Sequence, residues 1–155
     1  MYAVETNGIT ATFLVPAQIH MLIEHPAFDA RALSGLRKIV YGGAPAPLGL
    51  IEQADGMLPG CEFIQNYGMT EIGPLVTSYR KDRGKYPEAI GHPTGHTECA
   101  IFTTPCTEAA IGELCFRGPT LMNGYIGDPE QTAEFFRTGD GWGWTGDLAV
   151  RTKTA

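Results

Sequence analysis

The sequence predicts an α/β protein: part of a parallel-sheet α/β subdomain over residues 1–86, then a small β-barrel-like subdomain over residues 87–155. Three observations carry this reading. Short apolar strands alternate with segments of helical spacing up to about residue 86. From about residue 87 the chain is richer in Gly, Pro and Thr, with short strand-like runs. Its 155 residues suffice for one ordinary domain or two small subdomains.

The first strand is Ala11–Val15, which reads as a short buried run. Pro16 suits the first turn of a helix whose Ile19, Leu22 and Ile23 share one face. Asp29 is read as the N-cap of a short helix ending near Gly35. Arg37–Tyr41 reads as a buried strand left through the turn Gly42-Gly43-Ala44-Pro45. Pro47 opens a helix on which Leu50, Ile51, Ala54, Met57 and Leu58 keep helical spacing, closed by Pro59-Gly60. Glu62–Asn66 and Leu75–Tyr79 are the next strands, and elements of these lengths favour a parallel crossover. Beyond residue 87, Thr97–Thr103 and Gly112–Arg117 read as antiparallel strands around a polar, Pro-containing turn. Asp128-Pro129-Glu130 combines an N-cap, a first-turn proline and an acid at the positive end of the helix dipole. It begins a helix to about Phe136, followed by a last strand from Trp144 to Val150.

Composition removes several function classes. A hydrophobic content of 43% and charged content of 18% suit a folded chain. The net charge of −6 and the lack of a basic cluster argue against nucleic acid as a partner. No run reaches the roughly 20 apolar residues that cross a bilayer. The segment Met1–Thr6 lacks the basic start and apolar core of a signal peptide, so the expected compartment is the cytoplasm. Cys61, Cys99, Cys106 and Cys115 form no CxxC pair and read as buried free thiols. His92 and His96 stand four apart, but Pro93 and Gly95 break the helix a paired metal face would need, and no zinc site is expected. A serine hydrolase is disfavoured because no G-x-S-x-G turn is present.

Three glycine-flanked segments carry candidate chemistry, each beside a plainer reading. Gly42-Gly43-Ala44-Pro45 follows a buried strand, where ligands of open α/β sheets settle, although Gly-Gly also builds any tight turn. Asn66-Tyr67-Gly68-Met69-Thr70-Glu71-Ile72-Gly73-Pro74 sets a hydroxyl beside a carboxylate and an aromatic ring. Thr70 could bond a phosphate oxygen, Glu71 could hold Mg²⁺ and Tyr67 could stack on a base; a surface turn with a capping threonine is the alternative. In Thr145-Gly146-Asp147 the aspartate is placed to accept from both ribose hydroxyls, or simply to form a turn. Thr138-Gly139-Asp140 repeats that tripeptide without the following apolar strand and is read as a decoy.

Taken in order, these segments resemble the adenylate-forming superfamily of acyl-CoA synthetases, peptide-synthetase adenylation domains and beetle luciferases. Phe13-Leu14-Val15-Pro16 resembles the segment before the acyl-pocket helix, and Gly42–Pro45 the adenine-contacting turn. Tyr67-Gly68-Met69-Thr70-Glu71 resembles the most diagnostic core motif. Gly112-Glu113-Leu114 through Arg117-Gly118-Pro119 to Gly124-Tyr125 resembles the next motif, and Thr145-Gly146-Asp147 the ribose motif.

The resemblance implies a carboxylate (a fatty or other organic acid), ATP with Mg²⁺, and coenzyme A as co-substrate. A first step would give an acyl-adenylate and pyrophosphate, and a second a thioester and AMP. It implies Thr70 and Glu71 as catalytic, Glu71 as the Mg²⁺ ligand, and Gly43, Ala44, Pro45, Asn66, Tyr67, Gly68, Met69, Thr70 and Asp147 as nucleotide contacts. His20 and Gly42 fall where the acyl pocket lies, and His20 is equally readable as a packed core residue.

The sequence also departs from that family. The family's Ser/Thr/Gly-rich phosphate loop is expected ahead of the position of Met1 and its lysine-bearing C-terminal domain beyond Asp147; neither pattern occurs within these residues, and Lys153 is in the wrong context for that lysine's role. The codons GAC-GAA-GAC-GGC for Asp-Glu-Asp-Gly, shifted by one base, would encode the tail Thr152-Lys153-Thr154-Ala155. The expectation is a central fragment from a frameshifted or truncated gene, with weak or no synthetase activity by itself and self-association through exposed edges. A non-catalytic nucleotide-binding or interaction module derived from the same fold is the competing reading.

Overall fold

The computed structural model describes residues 1–47, 49–80, 89–103 and 107–152, with 74–76 and 78–80 described by backbone only. The chain divides into two units, Met1–Gly68 with Thr77–His92, and Met69–Val76 with Pro93–Ala155. Met69–Val76, which the sequence reading kept in the first part, thus groups with the second.

In the first unit, Ala11–Leu14 (β1), Lys38–Tyr41 (β2) and Glu62–Met69 (β3) run parallel, in register from Ala11↔Lys38 and Lys38↔Glu62 onward. The sheet order is β1-β2-β3-β4-β5, with the residues of Gly73–Arg80 (β4) and His92–Pro93 (β5) divided between the two units. Parallel neighbours cannot be joined by a tight hairpin, so each connection carries a helix. Pro16–Ile23 (α2) links β1 to β2 and Leu50–Met57 (α3) links β2 to β3. Gln18 turns its Oε1 back to accept from the Val15 amide at 3.0 Å, closing the start of α2. Ile19 and Ile23 of α2 and Ile51 and Ala54 of α3 join Ile39 and Phe63 in one buried cluster. Their spacing explains both the helices and the face they bury.

Several boundaries differ from the expectation. Tyr2–Asn7 (α1), which the sequence reading did not predict, is a short helix ended by Gly8. The segment after Asp29 is a chain of turns, not a helix: Leu33, Ser34 and Leu36 donate to the carbonyls three residues earlier. The Asp29 carboxylate accepts from the Arg31 amide at 2.8 Å, two residues on, and so caps a turn. Leu33 and Leu36 are buried there without helical periodicity. The third helix begins at Leu50 after Gly49, and Pro47 lies before it, its carbonyl accepting from Leu50 N.

In the second unit, Thr107–Glu108 (β7), Glu98–Thr103 (β6), Ile111–Arg117 (β8) and Gly143–Val150 (β9) form an antiparallel sheet in the order β7-β6-β8-β9. The expected Pro-containing turn between β6 and β8 falls partly on 104–106, outside the described residues. Pro129–Phe135 (α4) starts where the sequence placed it, with Asp128 Oδ1 accepting from Gln131 N at 2.9 Å. Ala100, Cys115, Trp142 and Trp144 are buried together against Phe102, whose ring meets Trp142 edge-on at 5.1 Å. Cys61 and Cys115 are buried free thiols and Cys99 is a half-buried one; Cys106 lies outside the described residues.

Candidate functional site

The Gly42–Pro45 turn leaves the C-terminal end of β2, with β3 parallel beside it. Gly42 is buried against the backbone of the neighbouring strand. A Cβ at this position would lie 2.3 Å from the Asn66 carbonyl oxygen, so only glycine lets the two segments approach so closely. Gly43, Ala44 and Pro45 are exposed, and their backbone is available to a flat ligand. The structure therefore brings two sequence candidates, Gly42 and Asn66, into direct backbone proximity within the first unit.

The motif itself is more ordered than a loop. β3 continues through Asn66, Tyr67, Gly68 and Met69, and only Thr70–Ile72 turns before β4. Tyr67 shares strand parity with buried Phe63, so the two side chains leave the same face of β3. His20 is exposed on α2, whose buried residues are Pro16, Ile19 and Ile23.

Thr70 is exposed, and Glu71 is half-buried in the second unit. The turn is held by the segment 120–125. Met122 N donates to the Glu71 carbonyl at 2.8 Å, and Thr120 Oγ1 donates to the Ile72 carbonyl at 2.8 Å. Ile72 is fully buried, which anchors the turn from below. The Tyr125 phenol then donates to Glu71 Oε1 at 2.8 Å. That bond to the carboxylate, followed by desolvation and by the charges of Glu71 and Asp128, raises the Tyr125 pKa above its ordinary value. Tyr125 is held in turn by its backbone amide, which donates to Thr132 Oγ1 on α4 at 2.9 Å. Among the described residues, no hydrogen bond or ion pair engages Glu71 Oε2.

Asp147 is exposed within β9, at an irregularity of the β8–β9 ladder. Its amide donates to Thr145 Oγ1 at 3.1 Å, and Thr145 Oγ1 donates to the Leu114 carbonyl at 2.8 Å. The duplicate tripeptide is engaged in its own turn. Thr138 Oγ1 donates to Asp140 Oδ1, and that bond first of all holds the Asp140 carboxyl below its ordinary pKa. Thr138 Oγ1 also accepts from the Trp144 indole at 3.3 Å. Local bonding thus gives Asp140 a structural role.

A divalent cation can be tested against this donor set. Among the described residues no three His, Cys, Asp or Glu side chains gather into a cluster. Glu71 offers one hard carboxylate oxygen without a protein partner among those residues. Mg²⁺ typically binds through one or two carboxylates, several waters and substrate phosphates, so the residues fit that ion better than one needing an all-protein cage.

Sequence reasoning passed over Tyr125: it lay inside a recognised motif segment, but its partner Glu71 is 54 positions away in sequence.

The chain is similar to known proteins in sequence and in fold. The chain is 37% identical to a feruloyl-CoA synthase of Amycolatopsis over 96% of its own length and 30% of that relative's. It is 36% identical to the medium/long-chain-fatty-acid–CoA ligase FadD8 of Mycobacterium tuberculosis, over 94% of this chain and 26% of that one. Among solved structures, an amide bond synthetase from Marinactinospora thermotolerans superposes with a TM-score of 0.86 at 34% identity, covering 98% of this chain and 31% of that one. The chain spans about 30% of the length of the first of these curated relatives. The model for the AMP-binding enzyme family matches residues 1–126, from the first helix through the tyrosine that holds Glu71, and the chain belongs to that family.

Proposed function

We propose that this chain carries the nucleotide-handling centre of an AMP-forming acid–thiol ligase, an acyl-CoA synthetase acting on a fatty or other organic acid. The observation that carries the reading is the Glu71 carboxylate. It is fixed through Oε1 by Tyr125 and through its backbone by Met122, while Oε2 has no protein partner among the described residues.

The reaction would proceed in two displacements. A carboxylate oxygen forms a bond to the α-phosphorus of ATP as the bond to the pyrophosphate leaving group breaks. The thiol sulfur of coenzyme A then bonds to the acyl carbon, AMP departs, and the thiol proton is released. Thr70 donates a hydrogen bond to phosphate. Asp147 accepts from the ribose hydroxyls, and Gly43, Ala44 and Pro45 face the adenine with Asn66, Tyr67, Gly68 and Met69. Gly42 and His20 belong to the acyl side. Glu71 would hold Mg²⁺, which when bound neutralises charge on the phosphates.

Titrating the chain with ATP in the presence of Mg²⁺ tests this. Glu71→Gln and Thr70→Ala are expected to weaken binding roughly tenfold, the order of a hydrogen bond or contact to a charged group. Binding unchanged by both substitutions would sink the assignment. Carboxylate-dependent ATP–pyrophosphate exchange then separates a ligase from a nucleotide-binding module of the same fold.

A further inference from the structure

The β8–β9 ladder is interrupted where Asp147 sits. Between the pairs Glu113↔Leu148 and Cys115↔Trp144, β8 contributes only Leu114, whereas β9 contributes Thr145, Gly146 and Asp147. Surplus residues on one strand leave ladder groups unpaired and re-aim the chain. Gly146 takes a φ of +79°, a conformation that glycine adopts readily, and the next residue, Asp147, is exposed.

The groups freed by this bulge are taken up by side chains. Glu113 Oε1 accepts from the Gly146 amide at 2.9 Å, so a carboxylate from the opposite strand replaces the missing carbonyl. Its other oxygen, Oε2, accepts from Arg137 Nη2. Arg137 also donates to Glu134 Oε1 at 3.1 Å and lies 3.9 Å from the centroid of the Trp144 ring. One face of the guanidinium is therefore set on a buried indole while its edge grips Glu113. The Glu113 and Arg137 side chains keep 20% and 34% of their exposure, too much for the pair to contribute greatly to global stability. Its consequence is local, at the one backbone amide the pair holds.

We infer that Glu113 is a positioning residue for Asp147: its carboxylate, held by Arg137 on Trp144, pins the Gly146 amide and sets the direction in which the bulge presents Asp147 to the vicinal hydroxyls of a nucleotide ribose. This rests on the reading of Asp147 as the ribose contact. Glu113 does not touch the nucleotide; it acts through the Thr145–Asp147 turn.

Two measurements on the full chain test it. Amide hydrogen exchange, followed by NMR without ligand, reports whether the turn is pinned. Affinities for Mg·ATP and for Mg·2′,3′-dideoxy-ATP, taken as a ratio, report whether the ribose hydroxyls are recognised. Glu113→Ala is expected to speed Gly146 exchange roughly tenfold, as loss of a charge-assisted hydrogen bond would. It should also lower the ATP preference over the dideoxy nucleotide several-fold while leaving dideoxy-ATP affinity alone. Arg137→Met, which keeps apolar packing on Trp144, should do the same to a smaller degree, and Glu113→Gln should recover part of the exchange protection. Unchanged Gly146 exchange in Glu113→Ala and Arg137→Met overturns the proposal, as does an equal loss for both nucleotides. Asp147→Asn marks the underlying reading separately. If it leaves the ATP preference intact, Asp147 is not the ribose contact, and the proposal falls with it even where the Gly146 amide proves to be pinned.

Discussion

The Tyr125 phenol donates a 2.8 Å hydrogen bond to Glu71 Oε1, joining two residues 54 positions apart. The tyrosine is itself braced by Thr132, whose hydroxyl accepts from its amide and donates to the Asp128 carbonyl at 2.8 Å. The start of α4 thus supports the carboxylate through a tyrosine. Tyr125→Phe removes only the oxygen that reaches Glu71. Its ATP affinity at limiting Mg²⁺ is expected to fall by roughly threefold to tenfold, the range for a hydrogen bond to a charged group. Titrations across Mg²⁺ concentrations check this, and an unaltered Mg²⁺ dependence would show that the bond does not matter.

The same pair has a pH signature. Because the Glu71 carboxylate raises the Tyr125 pKa above its ordinary value of 10.0, the phenol remains a donor beyond the pH at which a free tyrosine ionises. The phenolate absorbance that Tyr125→Phe removes should appear late in the native chain's titration, and Glu71→Gln should move it back down.

Gly42→Ala tests the approach of the turn to β3. The added carbon would sit 2.3 Å from the Asn66 carbonyl, a backbone atom that cannot swing aside. The expected cost is about 1–3 kcal/mol, the range for overpacking in a closely packed interior. Urea unfolding of the two proteins measures it. A stability within a few tenths of a kcal/mol of the parent would mean that the strands separate freely here.

Asp128→Ala should cost about 1 kcal/mol by exposing the Gln131 amide that the N-cap carboxylate now satisfies at 2.9 Å. Asp128→Asn keeps the acceptor and should lose less. Thermal unfolding ranks the three, and equal midpoints would exclude a capping contribution.

Cys61 gives a stability dependence on pH. Burial, and then the nearby Asp55 charge, push its thiol from 9.0 to about 11, against a smaller opposing hydrogen bond at the Ile39 backbone. The folded state keeps the proton that the unfolded chain releases, so the stabilising contribution is present below pH 9.0 and is lost as pH rises to about 11. Cys61→Ser should flatten that decline in urea unfolding at alkaline pH. Thiol labelling at neutral pH should be slow at Cys61 until the chain unfolds.

Much of the architecture was legible because it depends on short-range rules. Apolar spacing at Ile19, Ile23, Ile51 and Ala54 specified helices with one buried face, and Asp128-Pro129 marked the start of α4 without ambiguity. The turns after Asp29 were misread because an aspartate that caps a helix and one that caps a turn offer the chain the same side-chain acceptor. The two outcomes diverge only in how Leu33 and Leu36 reach the core, which local residue types do not encode. Thr138-Gly139-Asp140 and Thr145-Gly146-Asp147 have identical residues, and only the second lies in a strand, β9, as the apolar residues after it indicated. The irregularity of the β8–β9 ladder at Asp147 left no mark, since it arises from pairing with β8.

The sequence by itself determined the α/β class, most of the strands and helices, and the residue types of the Tyr67–Glu71 motif, because periodicity and turn chemistry act over a few neighbours. Tertiary structure alone decided which residues hold those groups in place. Tyr125 reaches Glu71, Glu113 reaches Gly146 and Arg137 settles on Trp144 only after distant segments have packed. Spacing along the chain carries no information about contacts that the folding of other segments creates.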